Sequence, residues 1–196
     1  MTQQSKKYYT AEEYLELEDK AETKSEYWRG EISQMVGGSV QHSLICVNIS
    51  TALNLKLRNR PCAVFNSDLK VLVKVDGAYT YPDITVVCGE IQFAQDKKGQ
   101  PRSDIVTNPV LLVEGLSAST EDLDRRDKFR LYRGLASLQH YLLVSQEQQA
   151  VDYYQKTAQG WLLRSYEEPA ASLNLKIGGG SFKLALAAIY NKVSFG

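Results

Sequence analysis

No stretch of this sequence stays apolar for the roughly 18 residues that a helix needs to cross a bilayer. Its opening, MTQQSKKYYT, also lacks the apolar centre of a secretory leader. The expectation is a cytoplasmic chain with no membrane contact. An excess of charge is missing too: Lys and Arg total 23, Asp and Glu total 23, and the formal net charge is zero. That excludes a basic coat for nucleic acid, an acidic solvating tail and a disordered composition, but not a local binding patch. Cysteine is scarce. Cys46, Cys62 and Cys88 are scattered among apolar neighbours, with no Cys-x-x-Cys and no Cys/His cluster at zinc spacing. They read as small buried hydrophobes in a reducing compartment. Gly-x-Ser-x-Gly, phosphate-loop, Gly-x-Gly-x-x-Gly and His-Glu-x-x-His patterns are absent, so a serine or cysteine hydrolase has little to build on.

What is present is an ordinary globular composition, 43% hydrophobic and 23% charged over 196 residues. That length suits one domain over residues 1–196 with a short N-terminal helical extension. Residues 1 to 8 read as a disordered lead-in. Thr10-Ala11-Glu12-Glu13 has the form of a capping box opening a helix through about Asp19. A short helical segment is expected over Glu22 to Arg29, then a first strand over Glu31 to Val36, halted at Gly37-Gly38. Gln41 to Arg58 has a helical pattern that Pro61 ends. Strands are expected over Cys62 to Phe65, Asp68 to Val75 and Asp83 to Cys88, with an Asp76-Gly77 turn, followed by a loop over residues 90–108. Val110 to Val113 suits a strand covered on both faces. A helix capped by Ser119 or Thr120 runs to Arg133. Three strands follow, over Tyr141 to Ser145, Val151 to Lys156 and Trp161 to Tyr166, and the tail has no evident place. The mixture predicts an α/β (α+β) fold, a central mixed β-sheet flanked by helices.

One helical position is anomalous. At 100° per residue, Phe129, Leu131, Tyr132, Leu135 and Ala136 form an apolar arc with Lys128 in its middle. Either the lysine snorkels to water, or its ammonium faces fixed negative charge beneath the helix. Two acids could supply that charge. Glu114 ends the apolar run Val110 to Val113, and Asp83 follows Pro82 at the start of Ile84-Thr85-Val86-Val87. Singly, each reads as a strand-end residue. Jointly, two carboxylates beside core strands favour a shared cation, because unpaired buried charge is costly. His42 lies on the helical face of Ile45, Cys46, Ile49 and Leu53, where a core histidine and a site histidine look alike. Glu26 lies just before the first strand, where most glutamates are solvated. His140 has no evident acidic or nucleophilic partner. Basic residues gather at Lys56, Arg58 and Arg60 and again between Arg125 and Arg133, the second group diluted by acids.

The segments Tyr9 to Tyr14, Ser25 to Ile32, Gln41-His42-Ser43, Tyr81-Pro82-Asp83-Ile84, Leu112 to Thr120 and Asp124 to Phe129, with Tyr132 and Gly134, resemble the Uma-two family. That family, formerly a domain of unknown function, is restriction-endonuclease-like and belongs to the PD-(D/E)xK nuclease superfamily. The resemblance implies a restriction-endonuclease-like fold, with Pro82-Asp83 as the first motif and Glu114 as the second acid. The superfamily lysine position is Leu116 here, and the family resembled takes a lysine from the following helix, which matches Lys128. Glu26 and His42 fall on positions near that site. Gly115 replaces an aliphatic residue, Ala118 a proline and Arg29 an aspartate, and Gly115 is expected to loosen the strand end.

The implied function is a Mg²⁺-dependent DNA endonuclease, with Mn²⁺ as a substitute. Asp83 and Glu114 would hold the metal, with Lys128, Glu26 and His42 around it, and a homodimer would suit cuts on two strands. The rivals are a catalytically impaired DNA- or protein-binding module on the same fold, and a hydrolase of small phosphorylated substrates.

Overall fold

The computed structural model describes residues 7–116 and 123–195. Its first half runs α1 (Ala11–Glu18), β1 (Ser25–Trp28), β2 (Glu31–Gln34), α2 (Val40–Leu57), β3 (Cys62–Asn66), β4 (Lys70–Val73), β5 (Ala78–Thr80) and β6 (Ile84–Cys88). Then come β7 (Phe93–Gln95), β8 (Pro101–Val106), β9 (Leu111–Leu116), α3 (Phe129–Tyr132), β10 (His140–Ser145), β11 (Val151–Thr157) and β12 (Gly160–Tyr166). The chain ends in β13 (Ser172–Ile177), β14 (Gly180–Ala185) and α4 (Leu186–Ile189). The fold is mixed α/β as expected, its strands divided between two six-stranded sheets and a hairpin.

One sheet has the order β12-β11-β10-β9-β6-β3, and the other β2-β1-β5-β4-β8-β7. In the first, β9 and β10 run parallel while the flanking pairs are antiparallel, so the strands at its centre are buried on both faces. The 18-residue α2 covers one face through Ile45, Ile49, Leu53 and Leu57. Each burial contributes about 1.5–3 kcal/mol over exposure. The β13–β14 hairpin and α4 close the same core, and Asn48 Nδ2 ties α2 to the tail by donating to the carbonyls of Ile189 and Asn191 at 2.9 and 2.8 Å. The opposite face packs on α3 and on β4 and β5 of the second sheet through Leu112, Leu116, Leu131, Tyr132, Val71 and Val73. The outer side of the second sheet receives α1 through the ring cluster Tyr14, Tyr27 and Tyr79.

Several expectations change. Thr10 and Glu13 form the capping box, at 3.1 and 2.7 Å. Glu22 to Arg29 is not helical; it contains β1, whose two-residue turn into β2 has Arg29 and Gly30 both at positive φ. Asp-Gly would announce such a turn, and Arg-Gly does not. Within residues 90–108 lie β7 and β8, joined by a turn in which Asp96 Oδ1 accepts the amides of Lys98 and Gln100. Asp76-Gly77 leads to β5, a strand the sequence reading lacked. Cys62 and Cys88 are not free thiols. They face one another across β3 and β6 and form a disulfide, leaving Cys46 as the free cysteine among the described residues. At a sequence separation of 26, the pairing shows only once the strand register is known. The helix expected up to Arg133 is a π-helical turn, Leu123–Lys128, running into α3. The expected caps Ser119 and Thr120, and residues 1 to 6 of the lead-in, lie outside the described residues. No helix among the described residues is long and apolar enough to cross a membrane.

Candidate active site

The pairing of Ile84 with Val113 in β6 and β9, extended by one residue, sets Asp83 opposite Glu114 where the two strands leave the core. From one face of this sheet comes His42, in the first turn of α2. The helix starts there because Ser39 caps it, accepting the amide of His42 at 3.0 Å. Ser39 Oγ also donates to Gln146 Oε1 at 2.7 Å, and Gln146 Nε2 donates to the Gly115 carbonyl at 3.1 Å. The start of α2 is thereby tied to the end of β9. From the other face comes Lys128, at the junction of the π-helical turn and α3. Wide turns of this kind recur at functional sites.

All five candidates line one cavity of about 700 Å³: Glu26, His42, Asp83, Glu114 and Lys128. Lys128 Nζ lies 3.3 Å from Glu114 Oε1 and 3.3 Å from Glu26 Oε1. The ammonium therefore faces fixed negative charge rather than snorkelling. Tyr132, one helical turn beyond Lys128, is fully buried and donates to Glu114 Oε1 at 2.8 Å. Burial first, and the Glu114 charge second, push its phenol well above the usual range, so it remains a donor. Glu26 also accepts the Tyr81 amide at 3.0 Å, which fixes β1 against the strand end carrying Asp83. Behind that contact, buried Glu18 accepts from the Ser25 amide and from the Tyr81 hydroxyl, the latter at 2.8 Å.

His42 Nε2 is 2.9 Å from Asp83 Oδ2, which also accepts the Gly115 amide at 2.7 Å. The Asp83 contact, followed by that with Cys46, raises the imidazole to about 10 against the opposing effect of burial. The ring fits because two neighbours lack a side chain. A Cβ at Gly115 would lie 2.7 Å from His42 Cδ2, and one at Gly38 only 2.5 Å from Nδ1. Gly115 does not loosen β9: it stays paired with Val144 in the β9–β10 ladder and serves as the seat of the imidazole.

The carboxylates of Glu26, Asp83 and Glu114 are hard oxygen donors, the kind Mg²⁺ takes together with waters and substrate phosphates. By formal charge, with His42 protonated, the five side chains sum to minus one; a divalent cation would make the sum plus one, the sign that a phosphodiester requires. The donor set therefore fits Mg²⁺.

Sequence reasoning missed Tyr132, hidden in an apolar arc by its ring, and Cys46, which sits one turn from His42 on a face of aliphatic residues. His140 is elsewhere, buried, with Nδ1 2.7 Å from the Tyr153 hydroxyl and Nε2 3.0 Å from the Lys176 carbonyl. The basic groups disperse: Arg60 caps the β13–β14 turn by donating to the Ile177 and Gly180 carbonyls, and Arg125 pairs with Asp152.

Residues 11–187 match the sequence profile of the Uma2 family, described as "Putative restriction endonuclease". The uncharacterized protein slr1290 of Synechocystis sp. (strain ATCC 27184 / PCC 6803 / Kazusa) is 40% identical over 185 residues, covering 94% of this chain and 92% of that protein. The uncharacterized protein sll1609 of the same organism is 37% identical over 158 residues, covering 80% and 86%. A crystal structure described as "a putative nuclease belonging to DUF820", from Anabaena variabilis ATCC 29413, superposes with a TM-score of 0.75 over 93% of this chain and 97% of that one. At 20% identity that likeness is one of fold. With a profile spanning most of its length and a relative 40% identical to it, the chain belongs to the Uma2 family.

Proposed function

We propose that this chain is a metal-dependent nuclease that hydrolyses phosphodiester bonds in DNA at the cavity between β6, β9 and the Lys128 turn. The observation that carries the reading is the ammonium of Lys128, 3.3 Å from both Glu114 and Glu26 in a cavity that Asp83 also lines. The family description and the nuclease of like fold support it. Asp83 and Glu114 would hold Mg²⁺, or Mn²⁺ in its place. Such an ion lowers the pKa of a bound water and offsets charge building on the phosphate.

The chain's own residues divide the remaining work. Tyr132 fixes one oxygen of Glu114 by its hydroxyl, so the carboxylate is oriented before any ligand arrives. Glu26 shares Lys128 with Glu114 and holds its ammonium over the cavity instead of letting it collapse onto one acid. Lys128 supplies a positive charge and donors to orient the attacking water or to stabilise the developing negative charge. His42 holds Asp83 from the α2 side.

The test is cleavage of supercoiled plasmid with Mg²⁺ or Mn²⁺ by the natural chain and by Asp83→Ala, Glu114→Ala and Lys128→Ala. Loss in all three is expected, and equal cleavage by all three contradicts the assignment. Bound but uncut DNA with the natural chain is the outcome that belongs to a non-catalytic binding module.

A further inference from the structure

The cavity has a second side. Beyond His42, away from Lys128, lies an opening of about 800 Å³ lined by Cys46, Ser43, Asn54, Asn66 and Ser67, with His42 and Asp83 on its rim. Cys46 and His42 are four residues apart on α2 and project one above the other. The thiol sulfur is 3.7 Å from His42 Nε2, and Nε2 is 2.9 Å from Asp83 Oδ2. Donor atoms of all three residues lie within 4.8 Å of one another, the one such trio of His, Cys, Asp or Glu side chains among the described residues.

We propose that His42, Cys46 and Asp83 form a binding site for Zn²⁺, separate in its chemistry from the carboxylate pocket. Zn²⁺ takes thiolate sulfur at about 2.3 Å and imidazole nitrogen or carboxylate oxygen at about 2.0–2.2 Å. In a tetrahedral site this sets the donors roughly 3.3–3.6 Å apart. The spacings here bracket that range, so small side-chain rotations suffice. The ring is pre-positioned by the glycine slot on its two sides. Three protein ligands leave a fourth position facing the 800 Å³ opening, free for water or an anionic oxygen. Donor hardness separates the two sites: sulfur and imidazole favour Zn²⁺, whereas the Glu26 and Glu114 side offers oxygen alone. Asp83 is shared. On the nuclease reading above, Zn²⁺ therefore withdraws Asp83 from the carboxylate pair and inhibits cleavage that Mg²⁺ supports; that consequence rests on the reading, and the binding does not.

The probe is Co²⁺ titrated into the full chain and followed by absorption. A near-ultraviolet thiolate-to-cobalt band with tetrahedral bands in the visible is expected, displaced by Zn²⁺. Cys46→Ser should remove the band and weaken Zn²⁺ by about 100-fold or more, while Glu114→Gln keeps both. The disulfide leaves Cys62 and Cys88 unable to supply the thiolate. As a readout without mutation, Zn²⁺ but not Mg²⁺ should protect Cys46 from alkylation by iodoacetamide. Absence of the band, its survival in Cys46→Ser, or alkylation at an unchanged rate with Zn²⁺ overturns the site. Each of these outcomes is independent of whether DNA is cut.

Discussion

The chain's two histidines occupy opposite ends of the parallel β9–β10 pair and show opposite solutions to the same problem. His140 starts β10, opposite Leu111, and both of its ring nitrogens meet neutral partners, the Tyr153 hydroxyl and the Lys176 carbonyl. Burial lowers its pKa, and the ring stays neutral. His42 lies at the other end, against Gly115, and its partner is a carboxylate that raises it to about 10. A buried polar group with neutral partners stabilises the fold and is finished. The strand ends around His42 instead gather opposite charges beside an open cavity, an arrangement that recurs at functional sites.

The comparison breaks most visibly in activity. Glu114→Gln should lower Mg²⁺-dependent cleavage by about three decades, since the ion's stabilisation amounts to several kcal/mol. His140→Gln should cleave within a few-fold of the natural chain at a temperature where it is folded. Equal loss in both would place the chemistry elsewhere. Stability should reverse the order. His140→Ala strips two buried groups of their partner and opens a void, costing about 2–4 kcal/mol in urea unfolding. At the alkaline end, where its ring is neutral, His42→Ala should cost only about 1 kcal/mol, because Asp83 keeps the Gly115 amide.

The pH dependence of stability sharpens the contrast. His140 has a folded pKa below its unfolded value near 6.5, so the unfolded chain takes up more protons in acid and stability falls as pH drops below about 6.5. His42 has a folded pKa raised to about 10; its contribution is fully present below 6.5 and is lost as pH rises toward 10. His140→Gln should flatten the acid limb of a stability–pH curve and His42→Gln the alkaline limb. Flattening of the same limb by both would refute the pairing of each ring. The smallest effect is expected from Gly115→Ala. Its Cβ, 2.7 Å from His42 Cδ2, meets a side chain that can swing away, so stability should change by less than about 1.5 kcal/mol. The imidazole should nonetheless titrate closer to 6.5 by NMR, because its contact with Asp83 opens.

Much of the site was legible before the fold. A lysine on an apolar arc, an acid ending a covered strand and an acid after a proline each violated a local pattern, and Lys128, Glu114 and Asp83 do line one cavity. What could not be read depended on register or on a single atom. Cys62 and Cys88 look like two unrelated small hydrophobes until β3 and β6 are aligned. Tyr132 contributes a ring to the core and one oxygen to the site, and only the ring shows in a hydrophobicity pattern. Gly115 looked like a weakness because a missing side chain carries no sign of what fills the space. Polar β8, with Arg102 and Asp104 paired along one strand and Lys70 beside them, offered no alternation to find. The Arg29-Gly30 turn hid a hairpin for want of an Asp or Asn.

The most direct measurement is single-turnover cleavage by Lys128→Ala at saturating Mg²⁺, with Mg²⁺ affinity measured on the same variant by calorimetry. The account predicts a rate about 100-fold below that of the natural chain, with affinity for the ion retained. An undiminished rate, or a loss of rate that follows entirely from lost Mg²⁺ binding, would contradict the placement of that ammonium beside the reacting phosphate.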